Sequence, residues 1–155
     1  MGKEMEQIQC IGVAMKYKFI IPGNPIPLAR ARINPKAFFN NSRCKMWDPQ
    51  KELKLIAAIH LRNQFENTEP ITGPVHIDAI FYMPIPKSKS KKIREGLLGK
   101  HHVCKPDLDN LIKFICDCAI GILYKDDSVI ASINIQKLYD TDPRTEFTIT
   151  SLENK

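Results

Sequence analysis

The segment of residues 105–127, KPDLDNLIKFICDCAIGILYKDD, constrains the fold more than any other part of this 155-residue chain. It opens with Asp107 and Asp109 and closes with the adjacent pair Asp126 and Asp127. Between the two pairs, apolar residues recur at three- and four-residue steps, which predicts an amphipathic helix. These residues are Leu108, Leu111, Ile112, Ile115, Cys118, Ala119 and Ile122. The acidic ends can therefore meet only if the chain reverses direction soon after this helix.

Carboxylates held close together repel one another unless a hard cation lies among them. We therefore predict a magnesium site, with Asp107, Asp109 and Asp127 as its ligands. Mg²⁺ at such a site activates water, stabilises charge at phosphorus and neutralises a leaving oxygen, which are the requirements of phosphodiester hydrolysis. For Asp126 two roles are open: an accessory acid, or a residue that only turns the chain.

Lys113 follows Asp109 by one helical turn and so lies on the same side of the predicted helix. A fixed cation there could stabilise transition-state charge or orient the attacking water, which makes Lys113 a catalytic candidate. The simpler alternatives are that Lys113 forms only an i,i+4 ion pair and that Asp109 only caps the helix.

The net charge of +6 coexists with the acidic cluster, so the remaining surface is more basic than average. One basic group lies in an early loop, and another precedes the acidic helix. The predicted DNA-binding residues in these groups are Arg30, Arg32, Lys87, Lys89, Lys91, Lys92 and Lys105. An acidic pocket in a basic surface favours delivery of phosphodiesters to a metal ion. The alternative is that these charges only keep the surface solvated.

The composition is that of one globular domain, with 43% hydrophobic and 26% charged residues. We predict a tail over residues 1–14 and a single domain over residues 15–155. Short, interrupted apolar runs predict no membrane span, and the acidic residues near the start are unlike a signal peptide. The five cysteines fit reduced thiols, so a cytoplasmic location is expected.

The first half of the chain is predicted to form two strands and a helix. Residues 16–21 form the first strand, and the proline-rich residues 22–47 form a long loop. A helix is predicted over residues 49–65, with Asp48 as its N-cap. Residues 75–82 have the alternation of a strand, and apolar residues on both of its faces place it inside a sheet.

The second half completes an α+β fold. Residues 87–105 are expected to form a short basic helix or flap before the acidic helix. Residues 128–137 and 145–150 are expected to pair as antiparallel strands. The predicted architecture is a mixed or antiparallel sheet of about four strands with two main helices.

Four segments carry a resemblance to a known family: KPDLDNLIK, YKDDSVI, PGNPIPLARAR and MPIPKSKSKK. They resemble the RusA family of Holliday junction resolvases of bacteria and their phages. The likeness covers most of residues 16–150 and includes a lysine after the third strand, here Lys137. It implies metal binding by Asp107, Asp109 and Asp127 and a catalytic role for Lys113.

The resemblance also implies an activity and an assembly. The expected protein is a Mg²⁺-dependent homodimer that resolves four-way DNA junctions by paired, symmetric nicks in recombination and repair. A junction has two-fold symmetry, and a dimer with two sites matches it.

Two other functions are open at this point. One is a less selective metal-dependent nuclease for branched DNA. The other is a non-catalytic, basic DNA-binding module whose acidic cluster is a folding metal site or a set of helix caps. Lys113 argues against the second, since a cation among carboxylates competes with metal binding unless it has a catalytic role.

Overall fold

The computed structural model describes residues 14–30, 32–33 and 46–152. In chain order, the strands and helices are β1 (Lys16–Pro22), β2 (Arg32–Ile33), β3 (Met46–Trp47), α1 (Lys51–Gln64), β4 (Val75–Pro84), α2 (Lys91–Leu97), α3 (Leu108–Ala119), β5 (Ile130–Asp140) and β6 (Arg144–Ser151). A 3₁₀ helix, Asp127–Val129, precedes β5. A single four-stranded mixed sheet with helices confirms the predicted α+β class.

The four-stranded sheet has the order β1-β6-β4-β5. β4 is interior, as predicted, and it pairs antiparallel with β6 and parallel with β5. The expected antiparallel pairing of β5 with β6 is therefore wrong, because β4 lies between them. Alternation along a strand identifies its buried face but does not identify its neighbour.

The short link between β5 and β6 can cross the end of β4 because strands two places apart are only about 10 Å from each other. Arg144, at the start of β6, stabilises this link through contacts with β4, β5 and β6. Its guanidinium bonds to Asp140 at 3.1 Å and to Glu146 at 3.0 Å. The same group lies 3.7 Å from the ring centroid of Tyr82 on β4.

Helices α1 and α3 cover one face of the sheet. Along β4, the residues Val75, Ile77, Ala79 and Phe81 are buried on that face. Helix α3 buries a wide apolar side, which comprises Leu111, Ile112, Phe114, Ile115, Cys116, Cys118 and Ala119. The amphipathic helix predicted from the spacing of apolar residues is thus confirmed. Because its hydrophobic side packs into the core, its charged residues face away from the core.

Three local details differ from the sequence predictions. Helix α1 begins at Lys51 with Gln50 as its N-cap residue, whereas Asp48 was predicted there. Asp48 instead accepts a 2.8 Å bond from the amide of Gln50 in a turn before the helix. The predicted loop of residues 22–47 includes the antiparallel pair of β2 and β3.

Some predictions fall on parts of the chain that are not described. Residues 1–13 of the predicted tail and residues 31 and 34–45 of the early loop lie outside the described residues, as does the side chain of Arg32. Among the helices of the described chain, none has the length and apolar character needed to span a lipid bilayer.

Candidate active site

Asp107 and Asp109 lie at the start of α3. Asp107 occupies the N-cap position with extended backbone angles, and its side chain makes no capping hydrogen bond. Asp109 lies in the first helical turn and does not cap the helix. Both side chains are exposed, and negative charge is favourable at a helix N-terminus. Their carboxylates are thus available to ligands.

Lys113 pairs with Asp109 one turn along the helix. Its Nζ lies 3.4 Å from Oδ2 of Asp109, and the two side chains are 60% and 64% exposed. The ion pair expected from the i,i+4 spacing therefore forms. Exposed pairs of this kind are weak, because solvent screens them. The ammonium group of Lys113 can consequently leave Asp109 for another anion at small cost.

Asp107, Asp109 and Lys113 line an open cleft of about 560 Å³ at the N-terminal end of α3. The other lining residues are Leu28, Ala29, Arg30 and Asn110. Two carboxylates and two cationic side chains therefore share one depression. Such a cleft can hold a cation and a phosphate side by side.

The wall opposite α3 is the loop after β1. The amide of Leu28 donates a 2.8 Å hydrogen bond to the carbonyl oxygen of Asn110. Gln50, which is only 8% exposed, binds the same loop from the other side. Its Oε1 accepts from the amide of Ala29 at 2.7 Å, and its Nε2 donates to the carbonyl of Pro27 at 2.8 Å. These bonds determine where the following residue, Arg30, enters the cleft.

The late acidic pair is not brought into this cleft. Asp126 is the N-cap of the 3₁₀ helix and accepts a 2.9 Å bond from the amide of Ser128. Hydrogen bonds from Ser128 lower the pKa of Asp126. Asp127 is exposed and is not among the cleft residues. Within the described residues, no three His, Cys, Asp or Glu side chains lie close enough together to hold one metal ion.

The return of the chain after α3 explains this separation. Gly121, with a φ of +77°, ends the helix, and Tyr124 then packs back against it. The hydroxyl of Tyr124 donates to the carbonyl of Cys116 at 2.9 Å. Burial raises the pKa of the Cys116 thiol to about 11, and the charges of Asp117 and Asp127 act in the same direction. The charge of Asp127 thus acts on Cys116 in the C-terminal half of α3, whereas Asp107 lies at the start of this helix.

The predicted DNA-binding lysines are exposed and lie around α2 and before α3. Lys87 and Lys89 precede α2, and Lys91 and Lys92 begin it. Lys91 makes a long, exposed contact of 3.9 Å with Glu95. Lys105 lies two residues before Asp107 and is exposed. Arg30, in the described part of the early loop, reaches the cleft.

Sequence reasoning assigned no tertiary contacts to two residues that bind segments beside the cleft. One is Gln50, which was predicted only as part of a helix. The other is Lys137, whose Nζ donates to the carbonyl oxygens of Cys104 and Pro106 at 2.7 Å each. The lysine itself was noted in the family resemblance, but its contacts depend on tertiary structure and leave no local pattern.

Comparison with known proteins identifies the family of the chain. The family model of endodeoxyribonuclease RusA matches residues 22–150, which include both walls of the cleft. The chain belongs to the RusA family. A RusA protein of this kind is an endodeoxyribonuclease, which hydrolyses phosphodiester bonds within a DNA strand. The chain is also similar to an uncharacterized protein, YqaN, of Bacillus subtilis strain 168. The two are 34% identical over 140 residues, which cover 85% of this chain and 94% of that protein.

Proposed function

We propose that this RusA-family endodeoxyribonuclease is a magnesium-dependent, homodimeric resolvase of four-way DNA junctions, active in recombination and repair. The observation that supports this proposal is the cleft at the start of α3. There, Asp107 and Asp109 share one depression with Lys113 and Arg30. Anionic oxygen ligands for a divalent ion and cations for a phosphate are the groups that metal-assisted hydrolysis of DNA needs.

The donor chemistry of the cleft fits Mg²⁺. This ion prefers oxygen ligands and is usually bound by one or two carboxylates together with water and substrate phosphates. Asp107 and Asp109 offer two exposed carboxylates on one rigid helix start, and Asp127 is the proposed third ligand. When bound, Mg²⁺ supplies an activated water and stabilises charge at phosphorus.

The cationic residues have separate proposed roles. Lys113 leaves its weak pair with Asp109 and binds an oxygen of the scissile phosphate, where it stabilises the developing negative charge. Arg30, on the opposite wall, binds a phosphate of the same strand. The exposed lysines around α2 and Lys105 contact the backbone of the DNA arms without reading their sequence.

The two edges of the sheet differ in a way that supports a homodimer. The edge strand β1 carries Lys16 and Lys18, and the side chain of Gln64 binds both the amide and the carbonyl of Ile20 at 2.8 Å. On the other edge, residues 130–136 of β5 pair only with β4 within the described chain. Residues 128–136 also carry no charge. An uncharged free edge is a template for another strand.

A second copy of this chain is the proposed partner of that edge. Antiparallel pairing of β5 with β5 of the partner subunit is self-complementary, and its two-fold axis produces a closed dimer. The pairing also brings the start of one β5 beside the end of the other. Asp127 precedes the start, and Lys137 near the end contacts the residue before Asp107.

The active site would then be shared between subunits. Asp107 and Asp109 of one subunit would be joined by Asp127 of the partner subunit. The separation of these carboxylates within a single chain supports this arrangement. It would also link metal binding to dimer formation, so that cutting requires the two-fold assembly that matches the junction.

The test is cleavage of a synthetic four-way junction beside matched duplex and flap DNA, with Mg²⁺ and with EDTA. A resolvase cuts the junction in two symmetric positions, requires Mg²⁺ and leaves the duplex intact. Equal cutting of all three substrates would show a less selective nuclease. Tight binding without cutting in Mg²⁺ would contradict the proposal.

A further inference from the structure

Lys137 is a charged residue on the helix-covered face of the sheet. It lies in register with Phe81 of β4, whose side chain is buried on that face. The next residue of β5 on the same face, Tyr139, is 8% exposed. Lys137 itself is partly buried. A lysine in such a place needs partners for its ammonium group, since burial without them is costly.

Its partners are backbone carbonyls rather than carboxylates. The ammonium nitrogen donates to the carbonyl oxygens of Cys104 and Pro106, and both distances are 2.7 Å. Hydrogen bonds from an ionised donor are short and stronger than neutral ones. These acceptors are neutral, so they provide no counter-charge for the ammonium group. Burial and the charge of Lys137 together lower the pKa of the neighbouring His102.

The two carbonyls belong to the segment that leads directly into Asp107. Residues 99–102 are already attached to β5 by backbone bonds, among them His102 amide to Lys137 carbonyl at 3.0 Å and Tyr139 amide to Lys100 carbonyl at 2.9 Å. Within the described chain, residues 103–106 make no such backbone bond. The side chain of Lys137 therefore connects the sheet to the residues immediately before Asp107.

We propose that Lys137 is a positioning residue for the nuclease site, which holds the Cys104–Pro106 segment so that Asp107 enters the cleft in the geometry that metal and phosphate require. This inference rests on the proposed function. Mg²⁺ demands near-ideal octahedral geometry. A displacement of about 1 Å in a catalytic group can reduce the rate by about 10²-fold. Loss of the two bonds should thus lower metal affinity and the cleavage rate more than it lowers DNA affinity.

The test compares Lys137→Met, which keeps the aliphatic stem, with Lys137→Arg, which keeps charge and donors. Lys16→Met, at the exposed start of β1, removes the same charge elsewhere and is the control. Four quantities are measured on each protein: Mn²⁺ binding by electron paramagnetic resonance, Mg²⁺ dependence of single-turnover junction cleavage, junction affinity in EDTA, and thermal unfolding. The metal-binding measurement does not depend on cleavage.

For Lys137→Met we expect Mn²⁺ and Mg²⁺ affinities to fall by about tenfold and the cleavage rate at saturating Mg²⁺ to fall by about 10²-fold. Junction affinity and unfolding temperature should match those of Lys16→Met, and Lys137→Arg should recover part of both losses. Metal affinity equal to that of the control would overturn the inference. A loss confined to DNA affinity would also overturn it, because Lys137 would then be a DNA contact.

If Lys137→Met unfolds below the assay temperature, Lys137→Gln, which keeps a neutral donor, is judged by the same criteria. The two proposals fail separately. Wild-type protein that cuts no junction in Mg²⁺ would remove the proposed function. Wild-type protein that cuts, with Lys137 variants that bind metal and cut as the control does, would remove only the role of Lys137.

Discussion

The amide of Leu28 donates a 2.8 Å hydrogen bond to the carbonyl oxygen of Asn110, and this bond joins the loop after β1 to the first turn of α3. Arg30 follows in that loop, and Asp109 precedes Asn110 in the helix. The two walls of the cleft, one with Arg30 and the other with Asp109, are therefore coupled through the backbone. Residues that hold this loop should affect cleavage although they do not reach the DNA.

Gln50→Ala tests that coupling. The change removes a buried side chain that bonds to Ala29 and to Pro27, and it leaves both backbone groups without a partner. We expect the free energy of unfolding to fall by about 1–3 kcal/mol and cleavage to slow. Denaturant unfolding and junction cleavage measure the two effects, with Glu69→Ala in an exposed loop as the control. Unchanged stability would show that the loop does not depend on Gln50.

Arg30→Gln should weaken binding to junction and duplex alike, because a phosphate contact carries no sequence information. Affinity measured at several salt concentrations should have a logarithmic slope smaller in magnitude by about 1. Lys16→Gln is the control: it removes one charge at the start of β1, and Lys16 does not line the cleft. Its slope should equal that of the wild type. An unchanged slope for Arg30→Gln would remove Arg30 from the DNA interface.

Ile133→Lys should dissociate the proposed dimer. Ile133 is 45% exposed on β5, so a single subunit tolerates the lysine, whereas two lysines near a two-fold axis repel. Ile20→Lys is the matched control, since Ile20 is 43% exposed on the opposite edge strand. Light scattering after size-exclusion chromatography gives the mass of each. A dimer that persists in Ile133→Lys would place the interface elsewhere.

Mixed dimers of Asp107→Asn and Asp127→Asn subunits should regain activity that neither variant has alone. In a shared site, one of the two sites of the mixed dimer contains every wild-type carboxylate, so one strand of each junction is nicked. Mixing Asp107→Asn with Asp109→Asn should restore nothing, because both sites then lack a ligand. Inactive mixed dimers in the first combination would mean that each chain supplies its own complete ligand set.

The sequence predicted local features well. The spacing of apolar residues predicted α3, and i,i+4 spacing predicted that Lys113 lies on the same side of the helix as Asp109, where the two side chains form an ion pair. The position of Asp127 could not be predicted in the same way, because it depends on how far the chain returns after Gly121. The place of β4 between β5 and β6 depends on sheet order, which strand alternation does not encode. Gln50 and Lys137 act through tertiary contacts with backbone groups, which have no sequence signature.

Paired cutting of a four-way junction can be measured on a supercoiled plasmid that extrudes a cruciform, with wild-type protein, Asp107→Asn and Asp142→Asn. Asp142 is an exposed carboxylate in the turn before β6, so its variant controls for the change of charge. Two paired cuts within one complex produce linear DNA, whereas unpaired cuts produce nicked circles. We predict linear product from wild type and from Asp142→Asn in Mg²⁺, and none from Asp107→Asn or in EDTA. Cutting by Asp107→Asn at the wild-type rate, or nicking of plasmids with and without the cruciform alike, would contradict the account.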